Sequence, residues 1–208
     1  MKGDMPDMQS LRFEGSLNAP RITPSDVACF VPKLRNLDMP LALSIDFNGT
    51  GSRLNVNDLS ISTADRGFVL KANAHVLHNR HTTWRAEVSK LFASGDAISK
   101  VYKLATSNEL PAIVHNLGDV SLTAKADGTD ADLSLNAVVG CAPGSVKLSA
   151  SKQQKALHAH VETRNFALDK LLGTDKTGVV SLSVDAKGSS KDNVSASGSI
   201  YDICYNGY

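Results

Sequence analysis

Apolar and polar residues alternate along most of this chain, and the alternation predicts β-strands. Successive side chains of a strand point to opposite faces of a sheet, so a period of two places every second residue on the same face. Apolar residues recur in this way in segments 41–47, 54–56, 68–76, 84–88, 120–126, 133–139, 146–150, 157–161, 180–186 and 194–200. The pattern therefore predicts a mainly β fold built from antiparallel strands.

Polar and glycine-containing stretches separate these segments and predict the hairpins between them. The clearest turn chemistry lies at residues 48–52, 127–130 and 188–190. Asp-Gly between two alternating runs, as at Asp127-Gly128, is the strongest short-range hairpin signal. We expect Gly49, Gly128 and Gly188 to lie in the turns.

Three segments interrupt the alternation and predict short helices. A helix near residues 24–31 begins at the N-cap Thr23 and ends before Pro32. A longer helix at residues 94–106 has apolar residues at the i, i+3, i+4 and i+7 positions of one face. A third helical segment, around residues 167–173, ends in glycine, as a C-cap does.

The order of these elements repeats. Each helical segment leads into a strand that closes on a glycine, in segments 40–49, 118–128 and 178–188. We therefore divide the chain into a flexible start, residues 1–10, and three units. The first unit is 11–92 with the helix near 24–31, the second is 93–161 led by helix 94–106, and the third, incomplete unit is 162–208.

Composition and charge narrow the range of partners. Apolar residues make up 42% of the chain and aromatic residues 5%, so any buried surface is aliphatic. The net charge of +1 supplies no attraction for a phosphate backbone, and we expect no nucleic-acid partner. No run of eighteen apolar residues occurs and residues 1–10 lack an apolar stretch, so we expect any membrane anchor or export signal to lie outside this sequence. We also expect the last strand to continue beyond Tyr208.

Three segments resemble the AsmA/TamB-like family of large envelope proteins of Gram-negative bacteria, in the style of the long versions found in Bacteroidetes. They are Ile22 to Gly49 (ITPSDVACFVPKLRNLDMPLALSIDFNG), Leu117 to Gly128 (LGDVSLTAKADG) and Glu162 to Gly188 (ETRNFALDKLLGTDKTGVVSLSVDAKG). The LDKLLG element followed by a glycine loop and GVVSLSVDAKGS carries most of the resemblance. We expect the N-terminal anchor and the C-terminal domain of that family to lie outside this sequence.

The resemblance implies an open, curved, groove-like (taco-shaped) sheet with two or three short helices, within an inner-membrane-anchored protein that crosses the periplasm. It also implies partners: phospholipid acyl chains carried toward the outer membrane, outer-membrane assembly proteins, and the remainder of the parent chain. The residues expected to line the groove are Leu41, Leu43, Ile45, Phe47, Phe68, Leu70, Val120, Leu122, Leu133, Leu135, Leu182 and Val184.

No motif in the chain indicates catalysis or a cofactor. His75, His78 and His81 are spaced by three, but no acidic or cysteine residue is spaced with them as a ligand, and strand and turn positions account for them. Asp130 and Asp132 fall in a predicted turn, whereas a catalytic carboxylate needs burial or a charged neighbour. Cys29, Cys141 and Cys204 have no metal-type spacing. We expect neither enzymatic activity nor a bound cofactor.

Two other functions remain open at this point. The chain could be a structural β scaffold whose edges pair with outer-membrane protein strands. It could also be a surface β-sandwich that binds carbohydrate, although so few aromatics argue against that. The alternation itself does not separate an open trough from a closed core; only the family resemblance favours the trough.

Overall fold

The computed structural model describes residues 11–23, 25, 39–106, 108–190 and 193–205. It contains one sheet of eleven antiparallel strands whose spatial order is the chain order. The strands are β1 Arg12–Ile22, β2 Leu41–Thr50, β3 Arg53–Thr63, β4 Phe68–His78, β5 Thr82–Ala93, β6 Val120–Thr129, β7 Leu133–Cys141, β8 Gly144–Gln153, β9 Ala156–Ala167, β10 Thr177–Ser190 and β11 Asn193–Tyr205. The helices are α1 Gly95–Thr106, α2 Ala112–His115 and α3 Leu168–Leu172.

The sheet is open, because β1 pairs only with β2 and β11 only with β10. Apart from neighbouring strands, the described elements in more than marginal contact are α3 with β10 and α2 with α3. No second sheet packs on the first within the described residues. The predicted fold class, mainly β with antiparallel strands in an open sheet and short helices, is confirmed.

The helices all lie at one end of the strands. Odd-numbered strands run toward this end and even-numbered strands run away from it, so every connection that contains a helix falls on the same side. We call this end the helical rim. At the opposite end, the hairpin rim, two or three residues connect β2 to β3, β4 to β5, β6 to β7 and β8 to β9.

Backbone hydrogen bonds join successive connections along the helical rim. Ser94 N–H donates to Gly67 O at 2.7 Å, Ala142 N–H to Leu117 O at 2.9 Å, and Ala167 N–H to Pro143 O at 2.8 Å. These bonds tie each connection to the next, and the rim is therefore a continuous border along this part of the sheet.

Local capping explains where two of the helices begin and end. The Oγ of Ser94 accepts a hydrogen bond from Ala97 N–H at 3.2 Å, as an N-cap does, and α1 starts at the next residue. Gly173, with φ 65°, ends α3 in the left-handed conformation that glycine adopts without strain. The predictions of helices at 94–106 and around 167–173 are confirmed, and α2 was not predicted. The helix predicted near residues 24–31 lies outside the described residues, except for residue 25.

The turn positions predicted for three glycines are wrong. Gly49, Gly128 and Gly188 lie inside β2, β6 and β10, opposite Leu54, Leu133 and Val194. Their role is to leave room, as described below for Gly128. The three glycines nonetheless occupy equivalent positions, near the hairpin-rim ends of strands that are four apart in the sheet. Each of these strands follows one of the long connections, so the structure shows a unit of four strands.

Little of the chain is buried. The accessible surface is 14596 Å², whereas a compact monomer of 22.1 kDa has roughly 9,300 Å². The buried apolar residues among those described are Ala97, Ala137, Phe166 and Val180. Phe166 and Val180 are paired across β9 and β10 at the helical rim. The small core therefore leaves most of the apolar side chains in contact with solvent.

Candidate functional site: one apolar face

Strand register places most of the apolar side chains of the eleven strands on a single face, which we call the apolar face. The side chains form five rows that run across the strands, parallel to the two rims. Row 1, nearest the hairpin rim, contains Phe13, Gly49, Leu54, Val76, Trp84, Gly128, Leu133, Lys152, Leu157, Gly188 and Val194. Row 2 contains Gly15, Phe47, Val56, Ala74, Ala86, Ala126, Leu135, Ala150, Ala159, Ala186 and Ala196.

All twelve residues that the sequence predicted to share one surface lie on this face. In order from row 1 to row 5 they are Leu133; Phe47 and Leu135; Ile45 and Val184; Leu43, Leu70, Leu122 and Leu182; and Leu41, Phe68 and Val120. None of them is buried, and Leu133 is 37% exposed. They form an accessible surface and not an interlocked core.

Side-chain size varies from row to row. Row 2 is mostly alanine, whereas row 4 contains Leu43, Ile61, Leu70, Leu91 and Leu122 on successive strands. The alanines of row 2 leave a low strip on β8 to β11, and Leu135 on β7 separates it from a shorter one on β4 to β6. With neighbouring strands about 4.8 Å apart, the three gaps between β8 and β11 give the longer strip a length of about 14 Å.

Five β-bulges keep the apolar side chains of the five rows on the same face where the alternation slips by one residue. In β1 the slip falls between Ala19 and Ile22. In β3 and β5 the slips fall between Val56 and Leu59 and between Val88 and Leu91. In β9 and β11 they fall between Thr163 and Phe166 and between Ile200 and Ile203. A regular strand would turn every side chain beyond the slip to the other face, and the extra residue of each bulge restores the register.

In the bulge of β9, Asn165 adopts a φ of 51°, and its N–H donates to Ser181 Oγ at 3.0 Å. Asparagine tolerates this left-handed conformation better than most residues.

Large side chains fill the space above several glycines of the apolar face. A Cβ on Gly15 would lie 2.6 Å from Cζ of Phe47, and one on Gly49 would lie 2.6 Å from Cζ of Phe13. Phe13 and Phe47 also lie near each other, with ring centroids 6.4 Å apart. The aromatic rings cover the glycine backbone and complete the face on strands β1 and β2.

The opposite face, which we call the polar face, carries mainly charged and hydroxyl side chains, with a few apolar ones among them: Val69, Leu77, Phe92 and Val138. Lys125 Nζ lies 3.1 Å from Glu87 Oε1, and His160 Nδ1 lies 2.8 Å from Asp185 Oδ1. Both pairs connect neighbouring strands and are substantially exposed, so each contributes little to stability. This face is solvated, which is the usual arrangement of an antiparallel sheet.

The histidines and acidic residues considered from the sequence are exposed: His75 is on the polar face, His78 ends β4 on the side of the apolar face, and His81, Asp130 and Asp132 lie in turns. His75 Nδ1 is 3.2 Å from Asn55 Oδ1, and His78 Nδ1 is 2.8 Å from Thr82 Oγ1. His81 Nδ1 lies 3.9 Å from Asp130 Oδ2. The three histidines thus face different partners, and no cluster of metal-ligating side chains occurs within the described part of the chain.

One depression lies at each rim. The larger, about 1100 Å³, lies at the hairpin rim, and its polar lining, which includes Arg53, Arg85 and Asp127, belongs to the polar face. The second, about 640 Å³, lies at the helical rim between Met39 and Pro40 on one side and Lys100 and Lys103 of α1 on the other. The apolar face itself is an open surface between the two rims.

One turn at the helical rim is held by a side-chain network. Thr63 Oγ1 donates to Asp65 Oδ1 at 2.6 Å, and Gly67 N–H donates to the same oxygen at 2.9 Å. Thr63 Oγ1 also accepts from Phe68 N–H at 2.9 Å. The hydrogen bond from Thr63, followed by that from Gly67, lowers the pKa of the Asp65 carboxyl below its ordinary value.

Sequence reasoning missed several parts of the apolar face. β1, with Phe13 and Leu17, was not predicted as a strand, because glycine and polar residues weaken its alternation. Phe166 was missed because it follows a bulge, and Lys152 because a charge breaks the apolar pattern. The two-residue polar spacing between apolar residues, as in Val56-Asn57-Asp58-Leu59, was the available signal for the bulges.

In comparisons with protein-family models, curated proteins and solved structures, no match to this chain was found. Among the described residues, no helix is both long and apolar enough to cross a bilayer.

Proposed function

We propose that this chain is a segment of a periplasm-spanning envelope protein and that its apolar face carries phospholipid acyl chains toward the outer membrane. The observation that supports this most directly is the continuity of the face. Five rows of side chains, aliphatic, aromatic or small except for Lys152, cross eleven strands, and apart from α3, which contacts β10, no described helix makes more than marginal contact with the strands. Such a large exposed apolar surface needs an apolar partner in water.

The chemistry of the face suits an acyl chain. Binding is driven by burial at roughly 0.8 kcal/mol per methylene, reduced because the open face shields the chain on one side only. The contacts are not directional, so neighbouring positions along the strip hold a chain about equally well. Movement from one position to the next then has a low barrier, and transport is passive, with neither catalysis nor a cofactor.

The test is lipid recovery from gently purified protein by mass spectrometry of organic extracts. Leu135→Asp places a charge in row 2, and Asn136→Asp places the same charge on the polar face of the same strand. We expect Leu135→Asp to lose lipid and Asn136→Asp to retain it. Lys125→Glu is a less clean control, because Lys125 pairs with Glu87.

A second charge variant guards against a loss that comes from misfolding. Leu17 is 51% exposed on the apolar face, so Leu17→Asp disturbs packing less than a change at a central strand. Far-ultraviolet circular dichroism should show folded protein for each variant. Equal lipid recovery from the wild type and both apolar-face variants would contradict the proposal.

A structural scaffold is the second candidate function, and the two open edges favour it. β1 and β11 each leave one side unpaired, and a strand of an outer-membrane protein could add there. β11 also exposes Ile200 (64%) and Ile203 (57%). This function predicts cross-links from edge residues to an unfolded outer-membrane strand and no bound lipid. The single sheet gives no support to the sandwich alternative.

A further inference from the structure

One charged residue interrupts the apolar face. Lys152 lies in row 1 of β8, between Leu133 on β7 and Leu157 on β9. Every other position in the five rows, all of which lie within the described residues, is apolar, glycine or threonine. Lys152 is exposed, and its two leucine neighbours are 37% and 47% exposed. The amine therefore reaches solvent at the margin of an oily surface.

The charge of Lys152 is not neutralised by a carboxylate. Among the described residues, no acidic oxygen lies within ion-pair distance of Lys152. Arg53, Arg85 and Asp127 also line the depression of about 1100 Å³, but the register places their side chains on the polar face. Lys152 is therefore the one charge in the five rows of the apolar face. Oδ1 of Asp132, in the adjacent turn, accepts a hydrogen bond from Gln154 N–H at 3.0 Å.

The low strip of row 2 begins directly beside this amine. Ala150 is the next residue of β8 on the apolar face, about 6.6 Å along the strand from Lys152. A ligand with an anionic group at Lys152 could therefore lay an alkyl chain on the alanines of row 2. An amphiphile with one uncompensated negative charge matches both parts of this surface.

We infer that Lys152 holds the phosphate of an anionic phospholipid at the hairpin rim while one acyl chain of that lipid lies along row 2. The inference rests on the proposed function and adds to it a headgroup class and an orientation. A zwitterionic lipid is a poorer match, because the five rows contain no carboxylate to receive its ammonium group beside Lys152.

The experiment compares phosphatidylglycerol with phosphatidylcholine of identical acyl chains, each at a low mole fraction in neutral detergent micelles, with binding measured by a fluorescent acyl probe. The variants are Lys152→Glu, the milder Lys152→Gln, and Lys147→Glu as a matched control. Lys147 is exposed on the polar face of the same strand. Glycerol phosphate serves as a soluble competitor without a chain.

We expect the wild type to prefer phosphatidylglycerol. Lys152→Glu should weaken phosphatidylglycerol binding about tenfold and leave phosphatidylcholine binding unchanged, which is the size expected for one charge-assisted hydrogen bond at an exposed site. Phosphatidylglycerol binding by Lys152→Gln should be intermediate between that of the wild type and that of Lys152→Glu. Lys147→Glu should bind like the wild type, and glycerol phosphate should not displace the lipid.

Two outcomes overturn the inference alone: equal binding of the two lipids by the wild type, or equal effects of the Lys152 and Lys147 variants. If the wild type binds neither lipid, the proposed function fails and the inference fails with it. If Leu135→Asp abolishes binding while Lys152→Glu does not, only the headgroup assignment is wrong.

Discussion

Trp84 covers Gly128 on the neighbouring strand. A Cβ on Gly128 would lie 3.0 Å from Cζ2 of Trp84 and 2.5 Å from the carbonyl oxygen of Asp132. The backbone at Gly128 needs no unusual φ, so the demand for glycine is one of space. The only tryptophan of the chain therefore depends on the absence of a side chain across the strand pair.

Gly128→Ala should destabilise the fold by about 1–3 kcal/mol, because the methyl group displaces either the indole or the turn carbonyl. Gly95→Ala is the matched control, since a Cβ there has its nearest atom at an ordinary 3.4 Å. Urea unfolding followed by tryptophan fluorescence measures both. A Gly128→Ala variant with the stability and the tryptophan emission spectrum of the wild type would contradict this packing.

Phe166→Ala should cost about 3 kcal/mol or more, because Phe166 is 8% exposed and packs beside the buried Val180. Leu17→Ala, at a 51% exposed site on the same face, should cost less than about 1 kcal/mol. The comparison is made by equilibrium unfolding of both variants. Similar costs at the two sites would show that stability is not concentrated at the helical rim.

Deletion of Ser89 should be tolerated, because it removes the bulge of β5 and leaves Val88, Lys90 and Leu91 in regular alternation. The stability change should stay below about 2 kcal/mol. Deletion of Asn136, in the unbulged β7, should prevent folding, since it turns half of that strand to the wrong face. Circular dichroism and thermal melting separate the two deletions, and a folded Asn136 deletion would refute the register.

The stability contributed by Asp65 should depend on pH. Thr63 and Gly67 lower the pKa of its carboxyl in the folded state. The contribution is therefore complete when the pH is above the pKa of the unfolded state, about 3.9, and it is lost as the pH falls through the lower pKa of the folded state. Asp65→Asn should therefore destabilise the protein more at pH 6 than at pH 3. Urea unfolding at both values measures the difference.

Thr63→Val provides the matching test, since it removes the hydroxyl that donates to Asp65 at 2.6 Å and nearly preserves the shape of the side chain. In the Thr63→Val background, Asp65→Asn should show a smaller dependence on pH. An unchanged dependence would mean that Thr63 is not the main cause of the lowered pKa.

Some parts of the fold could be predicted from the sequence better than others. Which strand residues lie on the apolar face was predictable, because apolar residues alternate without interruption, as in Leu41, Leu43, Ile45 and Phe47. Turn positions were less so, since glycine signals both turns and close contacts, and at Gly128 it marks a contact with Trp84. Which strands pair depends on long-range register, which local alternation does not encode.

The candidate site shows the same division. The twelve predicted residues share one face because a period of two, corrected by bulges, is enough to place them. The role of Lys152 was not predictable, because a lysine before a turn is common in any sheet. Only the register shows that this lysine stands alone among apolar neighbours.

The four-strand spacing between β2, β6 and β10 has a consequence for how such a chain can grow. An even number of strands returns the backbone to its starting direction, so each new four-strand unit begins at the helical rim, like the one before it. An odd number would reverse the direction and place the next long connection at the hairpin rim. Duplication or loss of whole units therefore changes the length of the sheet, while the hairpin rim stays free of long connections.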